Sequence, residues 1–352
     1  MHSARPRLSD LAHAAGVTSA TVSMALNGNS RISLATRERV QALAKQMGYR
    51  PNGLARGLRK SRSRVIGLLV TDIRVQTFAL ITLGAESVAR ERGSSVLLAN
   101  SENDSARERE YIDLMRDHRV DGLLIVPVGG EVSHLRELAN HSVPPVFLHR
   151  RPEGIVGHLI RVDEAAGVGL AISHLVSLGR KRIAYAMGTG ITAASRARLT
   201  GYRTAISESG FDVDERLVVS GSPTYGGGRA AVAELITGGA EFDALVCVGD
   251  LVAAGAVVEL RQRGIPVPDQ VAVCGFEDTD IAQAVDPPLT SVHLRPFEIG
   301  QIAARLLLDS IDTHSAELHE IDVAPSLVVR ASTAGRGDWR YEGPIKQEAL
   351  IT

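Results

Sequence analysis

From Val65 onward, short apolar runs alternate with stretches of helical period, and that alternation admits few architectures. The runs are VIGLLV (65–70), SVLLA (95–99), GLLIV (122–126), VFL (146–148), LIRV (159–162), RIAYAM (182–187), ALVCV (244–248) and VAVCG (271–275). Between them, 79–92, 105–118, 164–178, 196–209, 226–237 and 251–263 carry apolar residues at helical spacing. A strand that is apolar along its whole length has both faces covered, the condition of a parallel sheet flanked by helices. Roughly eight such strands suit two lobes better than one. The Pro-rich break near 144–162 is the expected crossover between them.

The first 64 residues follow another pattern. They hold ten Arg and two Lys against Asp10 and Glu38, a net of +10, which leaves −11 for the remainder of a chain whose total is −1. A split of sign between segments points to a polyanionic partner met by one end. This basic segment also has helical periodicity, which a solvated tail lacks. Leu8, Leu11, Ala12 and Ala15 form one apolar stripe, stopped by Gly16. Thr18 is placed to cap a second helix over 19–26, with Val22, Ala25 and Leu26 inward. Asn27-Gly28-Asn29-Ser30 is a turn cluster, and Ser33 is placed to cap a third helix carrying Val40, Leu43, Ala44 and Met47.

Two helices joined by a Gly-containing turn form a helix-turn-helix pattern, and the major groove admits one such helix. Ser19, Ala20 and Met24 fall on the outward face of the second helix. Thr18, Thr21, Ser23, Asn27, Ser33 and Thr36 supply short polar groups suited to phosphate oxygens. Residues 51–64, PNGLARGLRKSRSR, form an Arg-rich linker with Leu54, Ala55 and Leu58 on one helical face.

Composition excludes other classes. With 44% hydrophobic and 22% charged residues, the chain is neither disordered nor fibrous. No apolar run reaches the ~20 residues that span a bilayer. The start, MHSARPRLSD, has no apolar signal region, so a cytoplasmic setting is expected, and the isolated Cys247 and Cys274 fit a reduced compartment. There is no G-x-S-x-G, H-E-x-x-H, P-loop or metal-spaced His/Cys group, so neither an enzyme nor a cofactor or metal is expected.

The N-terminal block LSDLA…AGVTSATVSMALN…IS…TRERV…GYRPN…ARGL…IG resembles the start of the lactose-repressor (LacI/GalR) family. Later blocks keep the likeness to near residue 335: VPPVFLHRR, HLVSLGRKRIAYAMG, SRARLTGYRTAI, GDLVAAGAVVELRQRGIPVPDQVAVCGFEDT, DPPLTSV and LVVRAST. The resemblance implies a small all-α helix-turn-helix headpiece (1–50), a hinge helix or linker (51–64), and a two-lobed α/β core of parallel sheets like a periplasmic binding protein (65–335), followed by a tail (336–352). It implies a repressor that binds double-stranded DNA at a palindromic operator as a homodimer. A sugar-like effector held between the core lobes would control it. By matched position Ser19, Ala20 and Met24 read base edges, and Arg31 is a further DNA-facing position. Many members carry Arg where this chain has Met24, which offers only apolar contact, for instance to a thymine methyl. Leu58 matches the leucine that wedges into the minor groove. Ala55 is small enough to lie against the groove, and Asn52, Arg56 and Arg59 fall near it. The tail has no sustained heptad, so a dimer is expected rather than a tetramer.

A sugar site needs paired donors and acceptors plus an apolar surface, placed beyond strand C-termini. Phe78, Arg198, Asp250 and Glu277 stand in such places and match family effector-contact positions. Val75, Thr77, His149, Asp163 and Tyr225 are further candidates. Two departures from the family pattern are Gly249, where Asn is usual, and Glu277, where Asp is usual. Asp250 could instead cap the helix beginning at Leu251, and Arg196 is assigned to a structural ion pair. An alternative function was also open. Gly188-Thr189-Gly190 with Ala193 imitates a dinucleotide fingerprint, which on a helix-turn-helix protein would make a redox-sensing repressor. A periplasmic carrier of the same core would need a signal peptide and no basic headpiece.

Overall fold

The computed structural model describes residues 6–26, 29, 31–49, 62–130, 132–140, 143–188, 193–315 and 317–334. The chain divides into two compact units. One runs to Arg64 and includes Arg119–Asp121, and the other holds the remainder.

The first unit is three helices: α1 (Leu8–Ala15), α2 (Ser19–Leu26) and α3 (Leu34–Gln46). Each boundary has a local chemical cause. The Asp10 carboxylate accepts from the Arg7 backbone N–H at 2.8 Å, and Gly16 ends α1 in the left-handed conformation, φ 63°. Thr18 Oγ1 accepts from Thr21 N ahead of α2, and Ser33 Oγ accepts from Thr36 N at the start of α3. Leu11, Ala12, Ala15, Val22, Ala25, Val40 and Ala44 form its core, as the spacing predicts.

The second unit contains two six-stranded sheets. The first comprises β1 (Val65–Val70), β2 (Ser95–Asn100), β3 (Gly122–Ile125), β4 (Val146–Leu148), β5 (His158–Val162) and β11 (Glu320–Val323). Its order is β11-β5-β4-β3-β1-β2 and every pairing is parallel. The second comprises β6 (Ile183–Gly188), β7 (Val218–Gly221), β8 (Ala244–Cys247), β9 (Ala272–Phe276), β10 (Thr290–His293) and β12 (Ser326–Val328). Its order is β12-β10-β9-β8-β6-β7, parallel except where β12 pairs antiparallel with β10. The helices that matter below are α4 (Gln76–Glu91), α5 (Ser105–Asp117), α6 (Ser133–Arg136), α7 (Glu164–Ser177), α8 (Ala193–Glu208), α9 (Tyr225–Thr237), α10 (Asp250–Gln262), α11 (Asp280–Ala284) and α12 (Pro296–Thr313).

The expected crossover is corrected. Residues 146–162 lay down β4 and β5 of the first sheet, and the chain crosses only after Val162. It crosses back after His293 and again between β11 and β12, so three strands of chain join the lobes. The eight predicted strands all form, and four more join them. α12 returns to the first lobe and lies against α4 through two glycines. A Cβ on Gly84 would stand 2.0 Å from the Phe297 carbonyl oxygen, and one on Gly300 would stand 2.0 Å from that of Ile81. Among the described residues no helix is long and apolar enough to cross a membrane.

Candidate functional site

On the first unit, Thr18, Ser19 and Ala20 are exposed at the start of α2, while Thr21, Ser23 and Met24 are partly exposed further along it. Burial of Val22 and Ala25 fixes this orientation. Thr18 and Thr21 hydroxyls lie 2.9 Å apart, as do those of Ser33 and Thr36. Within each pair one hydroxyl donates to the other, so each pair has a single proton left for an outside acceptor. Arg31 is exposed, with its backbone N–H held by the Asn29 side chain. Arg37 donates instead to the Asn29 carbonyl and braces that turn. Asn27, Asn52, Ala55, Arg56, Leu58 and Arg59 lie outside the described residues.

In the second unit, the C-terminal ends of strands from both lobes bring a group of polar side chains together. Arg198, on α8, is 8% exposed. Its Nε donates to Glu164 Oε2 at 2.7 Å and its Nη1 to the Val248 carbonyl at 2.7 Å. Its guanidinium carbon lies 4.0 Å from the centre of the Phe276 ring, a cation–π stack. Burial works against its charge, but Glu164 outweighs burial and holds the pKa above the usual value. A buried guanidinium tied on three sides has a fixed direction, so its remaining N–H groups form a rigid fork.

His149 follows β4 with φ 63°, and its ring meets Phe78 edge-on at 5.8 Å. Burial lowers its pKa, opposed by Glu164 and reinforced by Arg198, which favours the neutral imidazole. Its Nε2 is buried without a hydrogen-bond partner among the described residues. Glu277 follows β9 with φ 96°, and burial raises its carboxyl to about 7 despite the nearby Arg198. This group therefore joins one orphaned ring nitrogen, one cationic fork backed by the buried Phe276 ring, one carboxyl raised to about 7 and the partly exposed ring of Phe78. Such a set can pair with hydroxyls on an apolar ring.

The other candidates stand elsewhere. Asp250 is 1% exposed and does not cap its helix, since Gly249 holds that position. Its Oδ1 accepts from Ser291 Oγ at 2.5 Å, and its Oδ2 accepts from Thr279 N at 2.6 Å and Thr279 Oγ1 at 2.9 Å. Burial raises its pKa to about 6, against the pull of those donors. It is a tie between α10, the loop after β9 and β10. Asp163 is exposed and caps α7 through Ala166 N. Tyr225 opens α9 at 41% exposure, and Val75 precedes α4, also exposed, while Thr77 is buried. Arg196 is exposed, whereas its neighbour Arg198 makes the buried ion pair. Thr189 and Gly190 of the fingerprint-like segment lie outside the described residues.

Sequence reasoning missed Glu164, Phe276 and Asp278. Glu164 adjoins Asp163, and Phe276 immediately precedes Glu277. Asp278 has φ 54° and pairs with Arg330 at 2.7 Å and His293 at 3.3 Å. Burial acts to raise its pKa, but His293 and Arg330 outweigh burial and hold it low.

A helix-turn-helix unit on a chain that continues into a two-lobed parallel-sheet core with a polar cleft defines a ligand-responsive DNA-binding regulator. Comparison with known proteins gives the same class. Residues 7–52 match the bacterial regulatory proteins of the lacI family, and 172–333 match the periplasmic binding protein-like domain. The chain is 35% identical to the transcriptional regulator AscG of Escherichia coli K12 over 90% of its own length and 98% of that protein. It is 35% identical to the regulator CelR of Thermobifida fusca over 93% and 98%. A CelR–cellobiose complex superposes with a TM-score of 0.68 at 33% identity, covering 93% of this chain and all of the other. The lac repressor dimer bound to operator and an anti-inducer superposes at 0.83 with 26% identity, covering 94% and 99%. The chain belongs to the LacI family of bacterial transcriptional regulators, and it is a DNA-binding regulator of transcription. That membership replaces the dinucleotide-binding alternative.

Proposed function

We propose that the chain is a dimeric repressor, without catalytic activity, that releases or grips a palindromic operator according to a sugar-like effector. The observation that carries this reading is the cleft group of His149, Arg198 and Glu277 beside Phe78 and Phe276. The working division is a headpiece (1–50), a hinge (51–64), an effector-binding and dimerisation core (65–335) and a tail (336–352), in the cytoplasm. Ser19, Ala20 and Met24 read base edges in the major groove. Thr18, Thr21, Ser23, Asn27, Arg31, Ser33 and Thr36 contact the backbone, each paired hydroxyl set giving one proton. Asn52, Ala55 and Arg56 follow the groove, and Leu58 wedges into it. In the cleft, Arg198 donates its free N–H groups, Glu277 and His149 exchange hydrogen bonds with hydroxyls, and Phe78 covers an apolar ring face. Glu164 aims Arg198, and Asp250 ties the loop that carries Glu277. Asp163 and Tyr225 stay at the margin.

The relatives support the effector class: the solved relative CelR is a complex with cellobiose. The test is a duplex selected by the protein from random palindromes, titrated at rising salt. The affinity is expected to fall steeply with salt, because the +10 segment displaces counterions. Adding each of a panel of neutral mono- and disaccharides should identify one that shifts that affinity. Binding as a monomer to a single asymmetric site would sink the reading.

A further inference from the structure

The chain enters the first sheet through a clamp that the DNA-reading and effector-binding residues do not use. Asp121 ends the turn that feeds β3, and Ser63 and Arg64 lead directly into β1, its paired neighbour. One oxygen of the Asp121 carboxylate accepts from Ser63 N at 2.7 Å and from Ser63 Oγ at 2.9 Å. The other accepts from Arg64 N at 2.8 Å. Arg64 sits at φ 59°, in the left-handed region that side chains other than glycine rarely adopt. The two successive backbone N–H groups ahead of that bend both point at one carboxylate. The register Ile66↔Gly122 begins immediately after the clamp in both segments of chain.

We propose that Asp121 is a positioning residue for DNA binding: by gripping Ser63 and Arg64, it fixes the root of the DNA-reading arm where the chain runs into β1. This rests on the reading above, in which two such arms address two half-sites. Palindrome spacing is a geometric property of a dimer. An arm whose root can swivel loses discrimination between spacings, because a misplaced second headpiece can then be reached at little cost. A carboxylate suits the task because it has acceptors on both sides and no donor. An amide keeps one acceptor only, and its NH₂ would face an N–H.

The test uses full-length wild-type protein and the Asp121→Asn, Ser63→Ala and Arg64→Gly variants. Each is titrated on the duplex that the wild type selects from random palindromes, and on copies with one or two base pairs inserted at the centre. Asp121→Asn should bind the selected spacing about tenfold more weakly and discriminate less between spacings, with the salt slope unchanged. Ser63→Ala, which removes one of the clamp's three bonds at a partly buried hydroxyl, should shift in the same direction by less. Arg64→Gly keeps the clamp and accepts the left-handed backbone, so its spacing discrimination should match the wild type. Hydrogen exchange of the peptide over 62–66 should speed up in Asp121→Asn while the rest of the sheet keeps its protection. Wild-type spacing discrimination in both clamp variants overturns the assignment. So does an equal loss at every spacing, which a merely loosened fold would give. If the wild type selects no palindrome at all, the dimeric DNA reading fails first, which is a different result.

Discussion

Arg198 has two of its five N–H donors committed before any ligand arrives, and Glu164, Val248 and the Phe276 ring fix its plane. Only its outward N–H groups are left for an effector, so losing it removes a preorganised donor rather than a flexible one. Arg198→Ala should lower effector affinity by about tenfold or more, since a hydrogen bond to a charged group is worth about 1.5–3 kcal/mol. Operator binding without effector should be unchanged, and calorimetry beside a DNA titration reads both. Retained effector affinity with an intact fold would remove Arg198 from the site. Glu277 gives a second handle. Its folded pKa of about 7 lies above the ordinary 4.5, so between those values the folded chain keeps a proton that the unfolded chain has lost. Stability contributed by that proton is present at low pH and is lost as pH rises through the window. Asp250, raised from 3.8 to about 6, acts in the same sense over a lower window. Thermal melts of Glu277→Gln should therefore fall less than those of the wild type between pH 5 and pH 7, values chosen inside the Glu277 window. Parallel melting curves for the two proteins would show that the carboxyl is not buried in solution.

Among elements, α4 and α12 show how close packing limits substitution. Gly300 faces the Ile81 carbonyl oxygen with no room for a methyl group, and that oxygen is backbone in a helix that cannot shift alone. Gly300→Ala should thus destabilise the first lobe by about 1–3 kcal/mol or more, the range of forced overpacking. A drop of several degrees in the melting temperature is the readout, and an unchanged melt would contradict the close approach. The same helix shows where the sequence was legible. The eight apolar strands were readable because burial on two faces writes an unbroken hydrophobic run. β7, β10, β11 and β12 were not, for they are three or four residues long and carry Ser, Thr, Glu or Asp at positions on edges or in the Asp250–Ser291 tie. α12 could have been read from Pro296 at its first position and the spacing of Ile299, Ala303, Leu307 and Ile311. In the cleft, Arg198 and Glu277 were accessible from strand ends and family likeness. Glu164 was not, because a carboxylate after Asp163 looks like any helix N-terminus until the fold brings Arg198 to it. The three donors that hold Asp250 come from residues 279 and 291, which no local pattern links to it.

For the whole molecule, three strands of chain join the lobes, and the proposed function makes effector and operator readouts of one conformational equilibrium. His149 and Phe78 belong to the first lobe, whereas Arg198, Phe276 and Glu277 belong to the second, so a ligand touching both must bias how the lobes meet. Asp121 grips Ser63 and Arg64, the last residues before β1. A ligand that binds one lobe arrangement better can shift DNA affinity only by its differential affinity for the two arrangements. Such coupling is typically about 1–3 kcal/mol, or about 5–150-fold, and it must be reciprocal. Effector affinity measured by calorimetry on the operator-bound protein should therefore differ from that on free protein by the same factor by which effector changes operator affinity. Inducer and co-repressor give opposite signs but the same equality, so the prediction holds before the sign is known. In Arg198→Ala the two factors should remain equal to each other while effector affinity itself falls. In Asp121→Asn effector affinity for the free protein should be unchanged, and both factors should shrink together, since the arm no longer reports the lobe to which it is tied. Unequal factors in the wild type would mean that effector and operator act on different equilibria, and that the cleft between the lobes is not the seat of control.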